Sequence, residues 1–232
     1  MKNKHDMMVV LGPTASGKTA FGVELAKQLN GEIISADSRQ VYRGMDLGTG
    51  KDLEEFGEVP YHLIDIVDPG YEFNLFEYVR HFYQAYADIE SRDRLPILVG
   101  GTGLYIDAII NRYSMAEVPE DSKLRETLQD EPEEKLIEML KELKPTLHNT
   151  TDLTSRERII RAIEIAQASG SDTYEPERAP NQVLVFGISW PREVLRKRIT
   201  KRLKQRLDAG MVDEIRGLMA QGLSASQLDW FG

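Results

Sequence analysis

The stretch GPTASGKT, residues 12–19, constrains the fold of this chain more than any other part of the sequence. It matches the spacing G-x-x-x-x-G-K-[ST], with a short apolar run before it and a helix-forming run after it. The glycines let backbone N–H groups turn inward, and the following helix adds the positive end of its dipole. The sequence therefore predicts a phosphate-binding loop in which Lys18 contacts the phosphates and the Thr19 hydroxyl binds Mg²⁺. The loop alone does not show whether the ligand is ATP or a compound with a diphosphate group.

The sequence around this loop alternates between strand and helix patterns. Short apolar strands are predicted over residues 5–12, 32–38 and 95–100, and amphipathic helices over residues 17–30 and 74–94. In the first helix Phe21, Leu25 and Leu29 share one face. This alternation predicts an α/β fold, with a P-loop NTPase-like parallel sheet flanked by helices.

Residues 114–181 show a different pattern from the rest of the chain. Three helical patterns occur there, with no clear strand pattern, and a further apolar strand is predicted over residues 182–189. We therefore expect an α/β catalytic core formed by residues 1–113 and 182–232. An all-helical insertion over residues 114–181 is expected to interrupt this core.

The composition is that of an ordinary soluble globular protein. Hydrophobic residues make up 41% of the 232 residues and charged residues 29%. No segment reaches the roughly 20 consecutive apolar residues that a membrane span needs. The absence of cysteine excludes disulfides and thiolate metal sites. We therefore expect a cytoplasmic protein without a secretory signal or a membrane segment.

The charge of the chain is unevenly distributed. The net charge is −9, which argues weakly against nucleic-acid binding, but residues 190–206 contain eight basic residues and one acidic residue. A basic face can attract a polyanion even on an acidic protein, because salt limits the reach of each charge to about 8 Å. The alternative is a solvated amphipathic helix, which the charge pattern alone favours.

Two polar residues follow predicted strands of the sheet. Asp37 comes at the end of the second strand, and Thr102 follows the two glycines that end the third. Ligands of such sheets bind at the carboxyl ends of the strands, so we predict that Asp37 is a general base and that Thr102 makes one directed hydrogen bond. The alternatives are a helix cap or an outer Mg²⁺ ligand for Asp37, and a helix cap for Thr102. The third strand lacks the acidic residue that ATP-hydrolysing enzymes of this class often carry there.

Five stretches together carry a resemblance to a known family. They are GPTASGKT, DSRQVYRGMDLGTGK, PYHLIDIVDP, LVGGTGLY and RERIIRAIEI. In this order and spacing they resemble the tRNA dimethylallyltransferases, also called tRNA isopentenyltransferases. The resemblance runs from Val9 to about Gly222. The C-terminal part of the family pattern, which lies beyond LDWFG, is absent from this sequence.

The resemblance implies a prenyl transfer. The dimethylallyl group of dimethylallyl diphosphate would move to the exocyclic N6 of the adenine 3′ to the anticodon of tRNA, with Mg²⁺ as cofactor. The loop would then hold the prenyl donor rather than ATP. The expected diphosphate-binding residues are Gly12, Thr14, Ala15, Ser16, Gly17, Lys18 and Thr19. Asp37 would accept the amine proton, Thr102 would orient the adenine, and Arg202 would clamp the diphosphate.

The resemblance also implies contacts with tRNA. The residues expected to make them are Asp37, Ser38, Arg39, Gln40, Thr102, Glu157, Arg158 and Arg161. Arg158 and Arg161 can equally be the polar face of a helix whose isoleucines point inward. The target base lies in a stacked loop and must be extruded to react. The helical insertion would grip the anticodon stem-loop, the basic stretch would be partly functional, and the protein would act as a monomer.

Three other functions remain open at the level of the sequence. A small-molecule P-loop kinase would use ATP and have Asp37 deprotonate a hydroxyl group. An RNA-binding protein that has lost catalysis would bind tRNA without turnover. An enzyme that prenylates free adenine nucleotides would not need the large helical insertion.

Overall fold

The computed structural model describes residues 4–145, 153, 155–168 and 173–231, and a five-stranded parallel sheet forms its centre. The sheet strands are β1 (Met7–Leu11), β2 (Gly31–Ala36), β3 (Tyr61–His62), β4 (Leu95–Gly100) and β7 (Val183–Gly187). They lie in the order β3-β2-β4-β1-β7. This arrangement confirms the predicted α/β fold class. The short strand β3 was not predicted, because a two-residue strand has no periodicity to recognise.

The helices follow the strands in the alternation that the sequence predicts. They are α1 (Lys18–Leu29), α2 (Leu75–Ser91), α3 (Gly103–Ile110), α4 (Ser122–Gln129), α5 (Glu133–Leu143), α6 (Arg156–Gln167), α7 (Arg192–Asp208), α8 (Met211–Ala220) and α9 (Ala225–Phe231). A short 3-10 helix covers Leu53–Phe56, and a two-stranded antiparallel pair joins β5 (Met115–Ala116) to β6 (Thr173–Tyr174). Within the described residues, no helix is both long and apolar enough to cross a membrane.

The register of the parallel strands brings four loops to one edge of the sheet. Leu11 at the end of β1 pairs with Gly100 at the end of β4, and Gly100 also pairs with Ala36 at the end of β2. On its other side Leu11 pairs with Gly187 at the end of β7. The loops that follow these strands therefore start side by side, as ligand-binding loops of open α/β sheets do.

Helix α1 packs most closely on the sheet through its small residues. Gly22, Val23 and Ala26 are buried, whereas Phe21 is 39% exposed. A Cβ atom on Gly22 would lie 2.6 Å from Cγ2 of Val99, so this helix packs closely on β4 and only small residues fit there. Phe21 instead makes an edge contact with Phe186, with 5.6 Å between ring centroids. Leu25 and Leu29, which share a face with Phe21, pack against the core and are partly buried.

Helix α2 covers the other face of the sheet with a regular apolar stripe. Its residues Val79, Phe82, Tyr86 and Ile89 are buried, as the helical spacing predicts. The helix begins with a capping box, in which the Asn74 side chain accepts from the Glu77 backbone N–H and the Glu77 carboxylate accepts from that of Asn74.

The chain divides into two compact units. The first comprises Met1–Tyr113 and Pro176–Gly232, and the second comprises Ser114–Glu175. The second part of the first unit thus begins at Pro176, whereas the sequence predicted that the second part of the core begins at residue 182. The second unit contains α4, α5 and α6, and its core consists of buried Leu128, Leu136, Leu140, Ile159, Ile160 and Ile163. It also contains the β5–β6 pair, so it is mainly rather than wholly helical.

The second unit is anchored by one buried carboxylate. Glu164 is 3% exposed and accepts hydrogen bonds from Arg125 and Arg161, with its Oε1 2.7 Å from Nε of Arg125. Its Oε1 also accepts from the backbone N–H of Asp121 at 3.1 Å. Burial by itself would raise the pKa of Glu164, but these hydrogen bonds outweigh burial and lower the pKa to about 2.

Candidate active site

The predicted phosphate-binding loop lies between β1 and α1. Gly17 has a φ of 96° and Ala15 a φ of 60°, so the chain takes two left-handed steps there, as an inward-facing row of N–H groups requires. The Nζ atom of Lys18 donates to the Pro13 carbonyl at 3.0 Å, which holds the ammonium group over the loop. The Ser16 side chain is buried, and its hydroxyl has no hydrogen-bond partner among the described residues. Ser16 lines neither of the two cavities beside the loop.

The segment after β2 is joined to the end of β4 through Thr102. The Thr102 Oγ1 accepts from the Ser38 backbone N–H at 2.9 Å, and the Thr102 hydroxyl lies 3.3 Å from the Ser38 Oγ. Asp37 accepts from the Arg39 backbone N–H at 3.0 Å through its Oδ1 atom, which closes a tight turn. Thr102 does occupy the N-cap position of α3, but its side chain makes no capping bond to that helix. Thr102 is therefore the N-cap residue by position, but its side chain does not cap the helix.

Two glycines allow these loops to approach each other. A Cβ atom on Gly100 would lie 2.1 Å from the Ala36 carbonyl oxygen, which accepts the Thr102 backbone N–H at 3.0 Å. A Cβ atom on Gly101 would lie 3.6 Å from Nζ of Lys18, so the end of β4 faces the phosphate loop. The backbone packs so closely at the end of β4 that glycine is needed at Gly100, and Gly101 lies against the phosphate loop.

A cavity of about 570 Å³ at this edge of the sheet collects most of the predicted site residues. Those that line it are Gly12, Thr14, Lys18, Thr19, Asp37, Ser38, Arg39, Gln40, Thr102 and Arg202. Apolar side chains also line it, among them Met45, Met211, Ile215 and Leu218. The cavity therefore offers polar groups that suit phosphate and apolar groups that suit a hydrocarbon group.

A second cavity of about 830 Å³ adjoins the phosphate loop. Ala15 and Gly17 line it, and it shares Lys18, Thr19 and Arg202 with the first cavity. Helix α7 contributes basic side chains to the lining of this cavity, and Asp52 also lines it. Arg202 forms an ion pair with Asp52 and donates to the Gly50 carbonyl at 3.1 Å, and Arg206 lies 3.2 Å from the same carboxylate.

Helix α7 and the residues before it brace the phosphate loop. The indole Nε1 of Trp190 donates to the Ser16 carbonyl at 2.9 Å, and Nε of Arg198 donates to the Ala15 carbonyl at 2.7 Å. The Arg198 guanidinium lies 5.0 Å from the centre of the Trp190 ring, which is a cation–π distance. These contacts fix loop carbonyls so that the N–H groups stay turned to the cavity.

The electrostatic surroundings of Lys18 suit an anionic ligand. Burial lowers the pKa of Lys18, the Asp37 carboxylate raises it, and the Arg202 guanidinium lowers it. The Lys18 ammonium therefore interacts electrostatically with both Asp37 and Arg202. A diphosphate bound there would favour the charged form of Lys18, since an opposite charge within a few ångströms stabilises it.

The second tRNA-contacting group predicted from the sequence belongs to the second unit. Glu157, Arg158 and Arg161 belong to α6. Glu157 and Arg158 are exposed, whereas Arg161 pairs with Glu164 at 2.9 Å and donates to the Val118 carbonyl at 2.7 Å. Arg161 thus contributes to the fold of its own unit, and its tRNA contact stays a prediction.

Family models match almost the whole chain. A model described as IPP transferase matches residues 40–231, and one described as isopentenyl transferase matches residues 5–58. The chain belongs to the IPP transferase family. The tRNA dimethylallyltransferase 1 of Geotalea uraniireducens (strain Rf4) is 58% identical over 228 residues, which are 98% of this chain and 75% of that relative. The tRNA dimethylallyltransferase 1 of Syntrophus aciditrophicus (strain SB) is 55% identical over 238 residues, 100% of this chain and 77% of that relative.

Solved structures of this IPP transferase family have the same fold. The tRNA isopentenylpyrophosphate transferase of Bacillus halodurans superposes with a TM-score of 0.66 at 37% identity, covering 96% of this chain and 72% of the other. A eukaryotic dimethylallyltransferase superposes with a TM-score of 0.77 at 24% identity, covering 96% of this chain and 59% of the other. At that identity the second likeness concerns the fold alone.

Several residues of this IPP transferase site were not predicted from the sequence. Lys51, Arg206 and Glu214 line the cavities, and Trp190 and Arg198 brace the loop. The basic character of residues 190–206 was a signal for α7, although it did not single out Arg198. Glu214 gave no signal, because an acidic residue on an amphipathic helix usually faces water.

The donor set of this IPP transferase suits a metal that is held largely by its substrate. No cluster of three or more His, Cys, Asp or Glu residues suited to a metal ion occurs among the described residues. The Thr19 side chain lies in both cavities beside the phosphate loop, and the Asp37 carboxylate lies in the first. Mg²⁺ prefers oxygen ligands and commonly binds through substrate phosphates, water and only one or two protein groups. A hydroxyl group and a nearby carboxylate fit that requirement.

Proposed function

We propose that this chain transfers a dimethylallyl group from dimethylallyl diphosphate to N6 of the adenine 3′ to the anticodon of tRNA. The observation that carries the proposal is the cavity in which the phosphate loop, Asp37 and Thr102 meet apolar side chains. Relatives named tRNA dimethylallyltransferase match over nearly the full chain and support the same reaction. The enzyme acts as a cytoplasmic monomer in this proposal.

The phosphate loop binds the diphosphate of the donor. The Lys18 ammonium and the backbone N–H groups of residues 14, 15 and 17–19 are available to its oxygens, whereas the Ser16 N–H donates to the Pro13 carbonyl at 3.2 Å. Arg202 lines the same cavity and adds a second cation at the diphosphate. The Thr19 hydroxyl would help to hold Mg²⁺, which would supply positive charge to the leaving diphosphate.

The reaction breaks the C–O bond between the allylic carbon and the diphosphate and forms a C–N bond to the adenine. Positive charge develops on the allylic carbon as diphosphate leaves, so stabilisation of the leaving group is the main electrostatic demand. The proton of the exocyclic amine passes to the Asp37 carboxylate, which lies beside the phosphate loop. The products are N6-dimethylallyladenosine in the tRNA and diphosphate.

The polar residues after β2 and β4 hold the adenine. Thr102 and the Asp37–Gln40 segment line the cavity and offer hydroxyl, amide and carboxylate groups to the edge of an extruded base. Gln40 is itself held by a bond from Ser35, whose hydroxyl lies 3.0 Å from Oε1 of Gln40. The unit that contains α6 contributes Glu157, Arg158 and Arg161 to the anticodon stem-loop in this proposal.

One incubation tests the proposal. The protein is mixed with Mg²⁺, unmodified tRNA, dimethylallyl diphosphate and ATP, and the digested tRNA is analysed by mass spectrometry. We expect prenylated adenosine and a rate about a hundredfold lower in Asp37→Asn, because general-base catalysis is lost. Asp93→Asn, at an exposed turn before β4, is the matched control and should react normally.

The other outcomes identify the other functions. Consumption of ATP with no use of the prenyl donor would show a kinase and contradict the proposal. Tight tRNA binding without product, unchanged by Asp37→Asn, would show a binding protein that has lost catalysis. Prenylation of free adenine nucleotides in preference to tRNA would show a different acceptor.

A further inference from the structure

Three consecutive backbone N–H groups form a nest that is filled by one carboxylate. Oε2 of Glu214 accepts from the N–H groups of Asp46 at 3.0 Å and Leu47 at 2.8 Å, and Oε1 accepts from that of Gly48 at 3.0 Å. Such nests normally bind anions. Here the anion comes from the first turn of α8, more than 160 residues further along the chain.

The segment that Glu214 holds carries a carbonyl group shared by two site residues. The Gly50 oxygen accepts from Nε2 of Gln40 at 3.2 Å and from Nη2 of Arg202 at 3.1 Å. Gln40 belongs to the segment proposed to contact the adenine, and Arg202 to the proposed diphosphate clamp. The position of this one carbonyl group therefore affects both proposed substrate contacts.

A buried lysine fixes the other side of the same segment. Lys51 is 1% exposed and donates to the Tyr42 carbonyl at 2.6 Å and to Oδ1 of Asp46 at 2.8 Å, and it also pairs with Asp65. Asp46 is thus held by its carboxylate through Lys51 and by its backbone through Glu214. Lys51 is part of the core, whereas Glu214 is only half-buried, so Glu214 is the residue that can be changed with least harm to the fold.

We propose that Glu214 is a positioning residue for the prenyl transfer, holding the Asp46–Gly50 segment so that Gln40 and Arg202 share their carbonyl partner. This inference rests on the proposed function and adds a residue to it. Glu214 acts through the backbone nest and through Gly50, and it takes no part in the proposed proton transfer or leaving-group contacts. Its effect is therefore expected on the alignment of both substrates.

The isosteric variant Glu214→Gln removes the charge and one acceptor. An amide oxygen can take only part of the three N–H bonds, and the amide NH₂ group is a donor that would face another donor in the nest. The segment would then be free to shift. A displacement of about 1 Å at a catalytic contact can cost about a hundredfold in rate, so we expect kcat/KM to fall between tenfold and about a hundredfold.

The matched control is the neighbouring residue on the same turn. Asp213 is exposed and pairs only locally with Arg216 at 2.9 Å, so Asp213→Asn makes the same change of charge one position away. We expect its kcat/KM to stay within about twofold of the wild type. Glu214→Asp, which keeps the charge on a shorter side chain, should lie between the wild type and Glu214→Gln. Equal losses in Asp213→Asn and Glu214→Gln would overturn the inference.

A double-mutant cycle separates positioning from a general loss of structure. Glu214→Gln is combined with Gln40→Ala and, separately, with Arg202→Ala, and kcat/KM is measured with an anticodon stem-loop RNA and dimethylallyl diphosphate. If Glu214 acts through Gly50, each combined loss will be smaller than the product of the single losses by more than about twofold. Multiplicative losses in both cycles would overturn the inference. The thermal midpoint and the concentration of donor-binding sites, measured in the same samples, report any damage to the fold.

Binding of the thio analogue of the donor, dimethylallyl thiodiphosphate, gives an independent measurement. Glu214→Gln should weaken its binding severalfold through Arg202, whereas unchanged binding together with unchanged kcat/KM would overturn the inference. Failure of the wild type to make prenylated adenosine while it binds the analogue would contradict the proposed function. In that case the change in analogue affinity still decides whether Glu214 positions Arg202.

Discussion

At the scale of single residues, Gly100 shows how closely the site loops are packed. A Cβ atom there would lie 2.1 Å from the Ala36 carbonyl oxygen, which is a backbone atom of a central strand and has little freedom to move. We predict that Gly100→Ala lowers the free energy of unfolding by about 3 kcal/mol, since overpacking must displace a strand. Urea unfolding followed by circular dichroism measures this change.

Gly217 provides the control for this substitution. It lies inside α8, and a Cβ atom added there would lie more than 4 Å from every described atom outside the backbone of its own helix and its chain neighbours, so Gly217→Ala adds a side chain without a clash. We expect it to stabilise the protein by up to about 1 kcal/mol, because alanine favours the helix more than glycine does. A destabilisation by Gly217→Ala as large as that by Gly100→Ala would mean that steric contact with Ala36 is not the cause.

Single residues also show what the sequence could and could not predict. The phosphate loop, Asp37 and Thr102 were predicted because each follows a strand, and the ends of parallel strands meet at one edge. The exposure of Phe21 was not predicted, because spacing reports a helical face but not how close each part of that face lies to the sheet. Glu214 was missed because its partners are backbone N–H groups, which leave no trace in the identities of the residues that carry them.

At the scale of elements, the second unit depends on the charge of Glu164. The pKa of Glu164 is lowered to about 2, so this carboxylate stabilises the folded state above its ordinary pKa of 4.5 and loses that effect as the pH falls towards 2. Between pH 5.5 and pH 3 we expect the wild type to lose roughly 2 kcal/mol that Glu164→Gln does not lose. Urea unfolding at both pH values measures the difference. Glu138→Gln, at an exposed position on α5, should behave as the wild type.

Helix α7 is the element whose role the sequence left most open. Its basic residues were compatible with a solvated face or with a functional one, and its exposed surface supports the first view for many of them. Arg198 and Arg202 nevertheless contact the phosphate loop and the Gly50 carbonyl. Helical spacing could not separate these residues from their neighbours, because the contacts depend on where β7 ends and on the direction in which α7 leaves the sheet.

We predict that Arg198→Ala weakens donor binding without unfolding the protein. The variant removes the 2.7 Å hydrogen bond to the Ala15 carbonyl and the guanidinium over Trp190, so the loop loses two braces. Loss of a hydrogen bond from a charged group corresponds to about a tenfold rise in the Kd for dimethylallyl diphosphate. Isothermal titration calorimetry measures it. Arg196→Ala, at an exposed position on the same helix, should bind normally, and an equal effect there would indicate a general loss of positive charge.

At the scale of the whole molecule, the α/β fold followed from the order of strand and helix patterns. The division into Met1–Tyr113 with Pro176–Gly232 and a separate Ser114–Glu175 unit depends on contacts distant in sequence. The short β5–β6 pair escaped prediction because two residues are too few to show an alternating pattern. The two units have separate cores, so each is expected to respond to its own ligand.

This separation leads to a prediction for hydrogen exchange. Dimethylallyl diphosphate with Mg²⁺ should slow amide exchange in the phosphate loop and in α1, since a ligand stabilises the state that it binds. Exchange in α6 should change only when an anticodon stem-loop RNA is added, because the proposed contacts of Glu157 and Arg158 lie there. Lys18→Ala should abolish the first effect and leave the second. Protection of α6 by the donor alone would contradict independent responses and would indicate that donor binding is coupled to the second unit.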